Sequence, residues 1–130
     1  MADVKTITAR EIKQITNAIC EKPRTILWHG KRINVNPLLA FKEFVSLANE
    51  IVNRCIGGTQ NVMVIESVDF VFKATILNKY AGIVLPNDLE DQYKIIYGTD
   101  LFSIVSEYIN PLQLQNLKDI IYCYTGLLIH

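Results

Sequence analysis

Histidine is scarce in this chain: of 130 residues, only His29 and His130 carry an imidazole. Neither has a second ligand at metal-site spacing, so no metal centre is expected. Cysteine is nearly as sparse, with Cys20, Cys55 and Cys123 far apart and no CxxC pair among them. That spacing excludes zinc-ribbon and thioredoxin-like chemistry. Each thiol falls at an apolar helical position and is expected to be reduced and to pack as a small hydrophobe. Glycine-rich phosphate loops are missing too: Gly57-Gly58 has no GxxxxGK[ST] or GxGxxG frame and reads as a helix stop. No apolar run approaches the ~20 residues needed to cross a bilayer. The start, Met1-Ala2-Asp3-Val4-Lys5, is polar and unlike a signal peptide. Charged residues make up only 20% and the net charge is zero, so the basic footprint of a nucleic-acid-binding domain is lacking.

What is present is apolar: 50% of the residues, with a mean hydropathy of +0.20. A chain of this length fits one domain, buries about two-thirds of its unfolded surface and needs no staples. Its apolar content also leaves surface for a partner or for further copies of itself. The charge is unevenly placed. Residues 1–54 hold nine Lys/Arg against five Asp/Glu, and residues 55–130 hold four against eight. A basic half and an acidic half suit head-to-tail stacking or the steering of a partner.

Periodicity supplies the elements. Thr8 and Glu11 form a capping box, flanked by an Ile7/Ile12 staple; Ile12, Ile15 and Ile19 line one face until Pro23. Arg24 to Trp28 and Lys31 to Val35 alternate as two strands around His29-Gly30, although His29 is an uncommon first turn residue and a longer turn is compatible. Asn36 as cap and Pro37 at the first position open a second helix. Phe41, Phe44, Val45, Ala48, Ile51, Val52 and Cys55 make its apolar face. Thr59 to Ile65 reads as a loop. Glu66 to Tyr80 reads as a central helix, broad in its apolar face and stopped by Gly82. Asn87 with Glu90 starts a fourth helix ending near Tyr97-Gly98, and Thr99 or Asp100 caps a fifth through Tyr108. Asn110-Pro111 opens the last, with Leu114, Leu117, Ile121 and Tyr124 inward. The expectation is a mainly α, α+β fold: about six helices and one β-hairpin at about 24–35, in a single domain spanning 1–130.

Chemistry finds few footholds. Asp88, Glu90 and Asp91 cluster, and Asp69 and Asp100 lie in apolar surroundings. The first three fall where a helix dipole stabilises negative charge, and Asp100 reads as an N-cap. No catalytic residue, cofactor-binding residue or metal ligand is assigned, and the chain is expected not to be an enzyme. The contact candidates are Trp28, His29, Lys31 and Arg32 on the hairpin, and Tyr124, Leu127, Leu128 and Ile129 in the apolar tail. Lys22, Arg24, Lys31 and Arg32 bracket Trp28, an arrangement that could also track a phosphate backbone while the indole stacks on a base.

One set of residues carries a resemblance. It comprises Trp28-x-Gly30-x-x-Ile33-x-Val35, then Glu43 and Val52 to Cys55, then Val68-Asp69-Phe70 and Ile76-Leu77-x-x-Tyr80. It continues through Leu85-Pro86, Tyr93-x-x-Ile96-Tyr97-x-x-Asp100 and Ile109-Asn110-x-x-Gln113. Over residues 24–117 this pattern resembles a family of small uncharacterised proteins from tailed phages and prophages of Firmicutes. The hairpin-then-helix opening also resembles phage tail-assembly chaperones. The resemblance implies a non-enzymatic protein of the infected host cytoplasm or the virion, with phage or host proteins as partners; the apolar content and split charge add a homo-oligomer. It carries over no functional residues. Two other functions fit a small non-catalytic chain: an inhibitor of a host defence such as a CRISPR nuclease, and a nucleic-acid-binding accessory factor acting through the basic hairpin. No membrane partner is expected.

Overall fold

The computed structural model describes residues 5–19, 21–56 and 65–126. In chain order the elements are α1 (Ala9–Ala18), β1 (Arg24–Trp28), β2 (Lys31–Val35), α2 (Phe41–Ile56), α3 (Ile65–Ala81), α4 (Leu89–Gly98), α5 (Leu101–Ser106) and α6 (Pro111–Thr125). This is the mainly helical α+β arrangement that the periodicity implies, with the antiparallel hairpin between the first two helices. The Gly57-Gly58 stop, most of the loop from Thr59, and Cys20 and His130 lie outside the described residues. No helix among the described residues is long and apolar enough to cross a membrane.

Helix α3 is the centre. It packs against α2, α4, α5 and β2, and Val68, Phe72, Ile76, Leu77 and Tyr80 lie fully inside. Around them sit Leu47 and Ile51 of α2, Ile96 of α4, Leu101 and Val105 of α5, Leu117 and Ile121 of α6, and Ile26, Ile33 and Val35 of the hairpin. Apolar residues on two sides of α3 explain its place, since a helix wetted on one face needs only one stripe. Gly82 takes a left-handed backbone, φ 63°, and its N–H bonds the Asn78 carbonyl at 2.9 Å to close the helix.

The hairpin turn has two residues, not more. His29 at φ 50° and Gly30 at φ 73° both take positive φ, the condition that matches a two-residue turn to the strands' right-handed twist. Pairing runs from Arg24 opposite Val35 to Trp28 opposite Lys31.

Helix α2 starts four residues later than Asn36-Pro37 suggests, and Phe41 is its first residue. The reason lies in where the backbone bonds go. Asn36 N–H bonds the Tyr80 carbonyl at 2.7 Å, and the Pro37 carbonyl accepts from Asn110 N–H at 2.7 Å. The two Asn-Pro dipeptides are thereby stapled together, and only the second serves as a helix start. There the Asn110 side-chain oxygen accepts from the Leu112 and Gln113 amides at 2.9 and 3.1 Å. The buried stripe of α2 is Leu47, Ala48 and Ile51, leaving Phe41 81% exposed and Val45 on the open side.

Smaller corrections follow the same logic. Asp88, not Asn87, caps α4, its carboxylate accepting from Glu90 N–H at 2.8 Å. Helix α5 ends at Ser106, short of Tyr108. Tyr124 and Cys123 point outward from α6, and Cys55 is half-buried.

Candidate functional site

The hairpin candidates are set by strand pairing. Cross-strand pairs share a face, and the buried Ile26–Ile33 pair marks the inner one. Trp28 and Lys31 lie in line with that pair, whereas Leu27 and Arg32 occupy the outer face. The cations expected to bracket the indole are thus divided between two faces. Trp28 is half-buried, and its Nε1–H donates to Asp100 Oδ1 at 3.0 Å, tying the hairpin tip to the start of α5. Asp100 holds the cap position of α5 without capping it; Thr99 Oγ1 instead accepts from Leu101 N–H at 3.3 Å. The His29 ring stands edge-on to Trp28, centroids 4.3 Å apart at 75°. A carboxylate on the indole N–H sets a negative charge where a phosphate track would need a positive one.

The tail candidates divide. Tyr124 is exposed on the last turn of α6, a helix that packs on α2. Leu127, Leu128 and Ile129 lie outside the described residues. The hairpin and Tyr124 lie on different elements, and nothing among the described residues joins them into one site.

Two surfaces missed by the sequence reading stand out. The first is α1. Its capping box forms as expected, with Glu11 N–H on Thr8 Oγ1 and Thr8 N–H on Glu11 Oε1, both at 3.1 Å. Yet none of its residues is buried, and the stripe of Ile12, Ile15 and Ile19 is open, Ile15 at 58%. The second is the outer face of α4, where Leu89, Tyr93 and Tyr97 follow each other at one-turn spacing. Leu89 is 68% and Tyr93 54% exposed. Tyr93 and Tyr97 rings stand 5.1 Å apart, and Phe70 of α3 stacks on Tyr97 at 6.5 Å. Tyr97 O–H donates to Asp69 Oδ2 at 2.6 Å, while Lys73 pairs with the same oxygen at 3.0 Å and lies over the Tyr97 ring. The signals were readable as periods of three to four; what they lacked was any indication of burial.

A polar network centred on Gln113 ties two elements together inside the fold. Gln113 Oε1 accepts from Leu39 N–H at 2.9 Å and from Tyr80 O–H at 2.6 Å, and its Nε2 donates to the Leu39 carbonyl at 3.1 Å. One amide thus satisfies the connector before α2 and the phenol of α3. Burial raises the Tyr80 phenol well above its ordinary range, which fits a group that keeps its proton to donate it. Burial also pushes the Cys55 thiol up, against a smaller downward pull from Arg54.

A cleft of about 530 Å³ lies between the hairpin and the end of α3, lined by Arg32, Asn34, Asn36, Lys79 and Tyr80 among others, and falls within the roughly 300–1,000 Å³ of small-molecule sites. A smaller one, about 260 Å³ and lined by Glu50, Arg54, Thr75, Asn78, Val84 and Gln92 among others, falls just below that range. Arg54 donates to Thr75 Oγ1 at 3.3 Å and Thr75 to the Val71 carbonyl at 2.6 Å, so its central polar groups are engaged with each other. Among the described residues, no group of three or more His, Cys, Asp or Glu is placed to hold a metal ion. No family model matches the chain, and neither a curated protein nor a solved structure matches it.

Proposed function

We propose that this chain is a non-enzymatic protein that works through protein–protein contacts, in several copies, in the structure or assembly of a bacteriophage particle. The observation that carries the contact role is α1, a helix with a complete N-terminal capping box whose isoleucine stripe stays open among the described residues. A regular amphipathic helix with an open apolar face has a use for that face in a complex. The aromatic face of α4 and the exposed Phe41 and Leu112 add apolar surface beyond what a solitary domain of this size needs. The phage setting, host cytoplasm or virion, rests on the sequence pattern between residues 24 and 117.

Solution mass by size-exclusion chromatography with light scattering, at two protein concentrations and two salt levels, tests the reading. The expected result is an assembly that persists at high salt, since apolar burial is not screened. A monomer of 14.8 kDa under every condition would sink the several-copy role. An inhibitor of a host defence would instead be recognised by plaque formation on defended hosts that depends on the gene.

A further inference from the structure

We propose that α1 of one copy docks on the outer face of α4 of the next copy, joining chains head to tail. This rests on the several-copy reading above and names the two surfaces that meet.

Charge is the first ground. Over residues 5–19, Lys5, Arg10 and Lys13 stand against Glu11 alone. Over residues 88–98, Asp88, Glu90 and Asp91 stand against Lys94 alone. The arm and its acceptor therefore carry equal and opposite excesses, beside apolar stripes that would otherwise attract any hydrophobe. Other open apolar positions lack this selectivity: Phe41 is followed by Lys42 and Glu43, and Tyr122 and Tyr124 share α6 with Lys118 and Asp119.

Length is the second. From Ile12 to Ile19 is about 10 Å and from Leu89 to Tyr97 about 12 Å at 1.5 Å per residue, so one stripe covers the other. The spacing of Ile12, Ile15 and Ile19 is that of a two-helix seam, three and then four residues apart. Composition is the third. An acceptor of one leucine and two tyrosines has the aromatic make-up of interface centres, where amphipathic rings bury area yet tolerate exposure in the free protein.

Because the two surfaces differ, the contact is heterologous: each copy gives one arm and receives one, and the chain of contacts closes into a ring or grows as a filament. A short helix on a short helix buries less than the ~800 Å² per partner of a standard interface, so a single contact is weak and the masses below are read at a protein concentration where the wild type is fully assembled and again at several-fold higher concentration.

The test uses full-length protein and two substitutions, Ile15→Asp in the arm and Tyr93→Asp in the acceptor. Both positions are exposed, so the fold should survive, with far-ultraviolet circular dichroism as the check. Wild-type protein is expected at a mass of three or more protomers, and each variant alone at one. An equimolar mixture of the two variants retains one intact arm and one intact acceptor, and is expected at twice 14.8 kDa and no higher. Recovery of that pair is the result a contact of α1 with α1, or of α4 with α4, cannot give, and a wild-type mass of three or more protomers separates head-to-tail joining from a reciprocal dimer. A mixture that stays monomeric overturns the proposal, as does an assembly that survives both substitutions; the latter leaves the several-copy reading standing. A monomeric wild type overturns both. Sedimentation of wild type and Tyr93→Asp alike with phosphatidylserine vesicles, with Ile15→Asp left behind, would assign α1 to a membrane surface and overturn docking on a second copy.

Discussion

Helices α1 and α3 are opposites built from the same rules. Helix α1 has the most complete start in the described structure, a reciprocal capping box, and buries no residue. Helix α3 buries five large side chains to 1% exposure or less and touches four other elements. Capping satisfies orphan amides within one turn and says nothing about what lies across the apolar stripe. Burial does the reverse: it ties a helix to the rest of the fold and sets the free energy of global unfolding. The contrast divides the molecule into a body that is stable by packing and an arm that is regular by local bonds alone.

The largest expected effect is on the body. Phe72→Ala removes a ring with no exposure that meets Phe102 edge-on at 6.3 Å. It should cost about 3–5 kcal/mol in urea unfolding. Ile15→Ala in α1 should change the monomer by less than about 0.5 kcal/mol, as exposed substitutions do. Equal losses at the two sites would abolish the distinction between body and arm.

Next is the polar tie within the body. Gln113→Ala strands the Leu39 N–H and carbonyl and the Tyr80 hydroxyl together. Leaving buried groups unpaired should cost roughly 2–3 kcal/mol, seen as a lower urea midpoint at unchanged slope. The same network sets an alkaline limb. An unfolded tyrosine ionises near pH ~10, whereas burial holds the native Tyr80 phenol protonated to higher pH. Above that point the native state binds the extra proton, so stability is full below about pH 10 and falls as pH rises. Tyr80→Phe should flatten the part of the slope above about pH 10 in a urea-midpoint series, at the cost of one hydrogen bond, about 1 kcal/mol. Cys55 adds to the same limb from about pH 8.5, because burial raises its thiol as well; Cys55→Ala would remove that earlier portion. An iodoacetamide time course should label the exposed Cys123 before Cys55.

How far the sequence disclosed this division depends on the element. The two strands of the hairpin were legible to the residue, because alternation and Gly30 act locally; the turn length was not, because a residue other than glycine rarely takes the positive φ that His29 adopts here. The width of the apolar face of α3 correctly marked it as central. The start of α2 was not legible, since Asn36-Pro37 and Asn110-Pro111 are the same dipeptide and are set apart by tertiary bonds, Asn36 N–H to the Tyr80 carbonyl and Asn110 N–H to the Pro37 carbonyl. Phe41 was placed on the apolar face by period alone, and the structure leaves it open. The stripes of α1 and α4 have the same period as buried ones, and periodicity shows that a face is apolar without showing whether its partner belongs to the same chain. Of the contact candidates, His29, Lys31, Arg32 and Tyr124 are exposed as a surface role requires, while Trp28 is half-buried and held by Asp100.

The smallest effect separates arm from body most cleanly. Thr8→Ala removes the hydroxyl that accepts from Glu11 N–H. Losing such a cap costs about 1 kcal/mol of helix stability. Because no residue of α1 is buried among the described residues, that loss should stay within it. Amide exchange should quicken for the helical amides of residues 12–18, those bonded within α1, and remain unchanged across α3. The urea midpoint of the monomer should not move. In the assembled protein the same substitution should weaken association about five-fold, since a frayed arm must be ordered before it docks and 1 kcal/mol is about that factor. A shifted midpoint in the monomer would mean that α1 is held by the body after all, and the open stripe would then need a partner no longer.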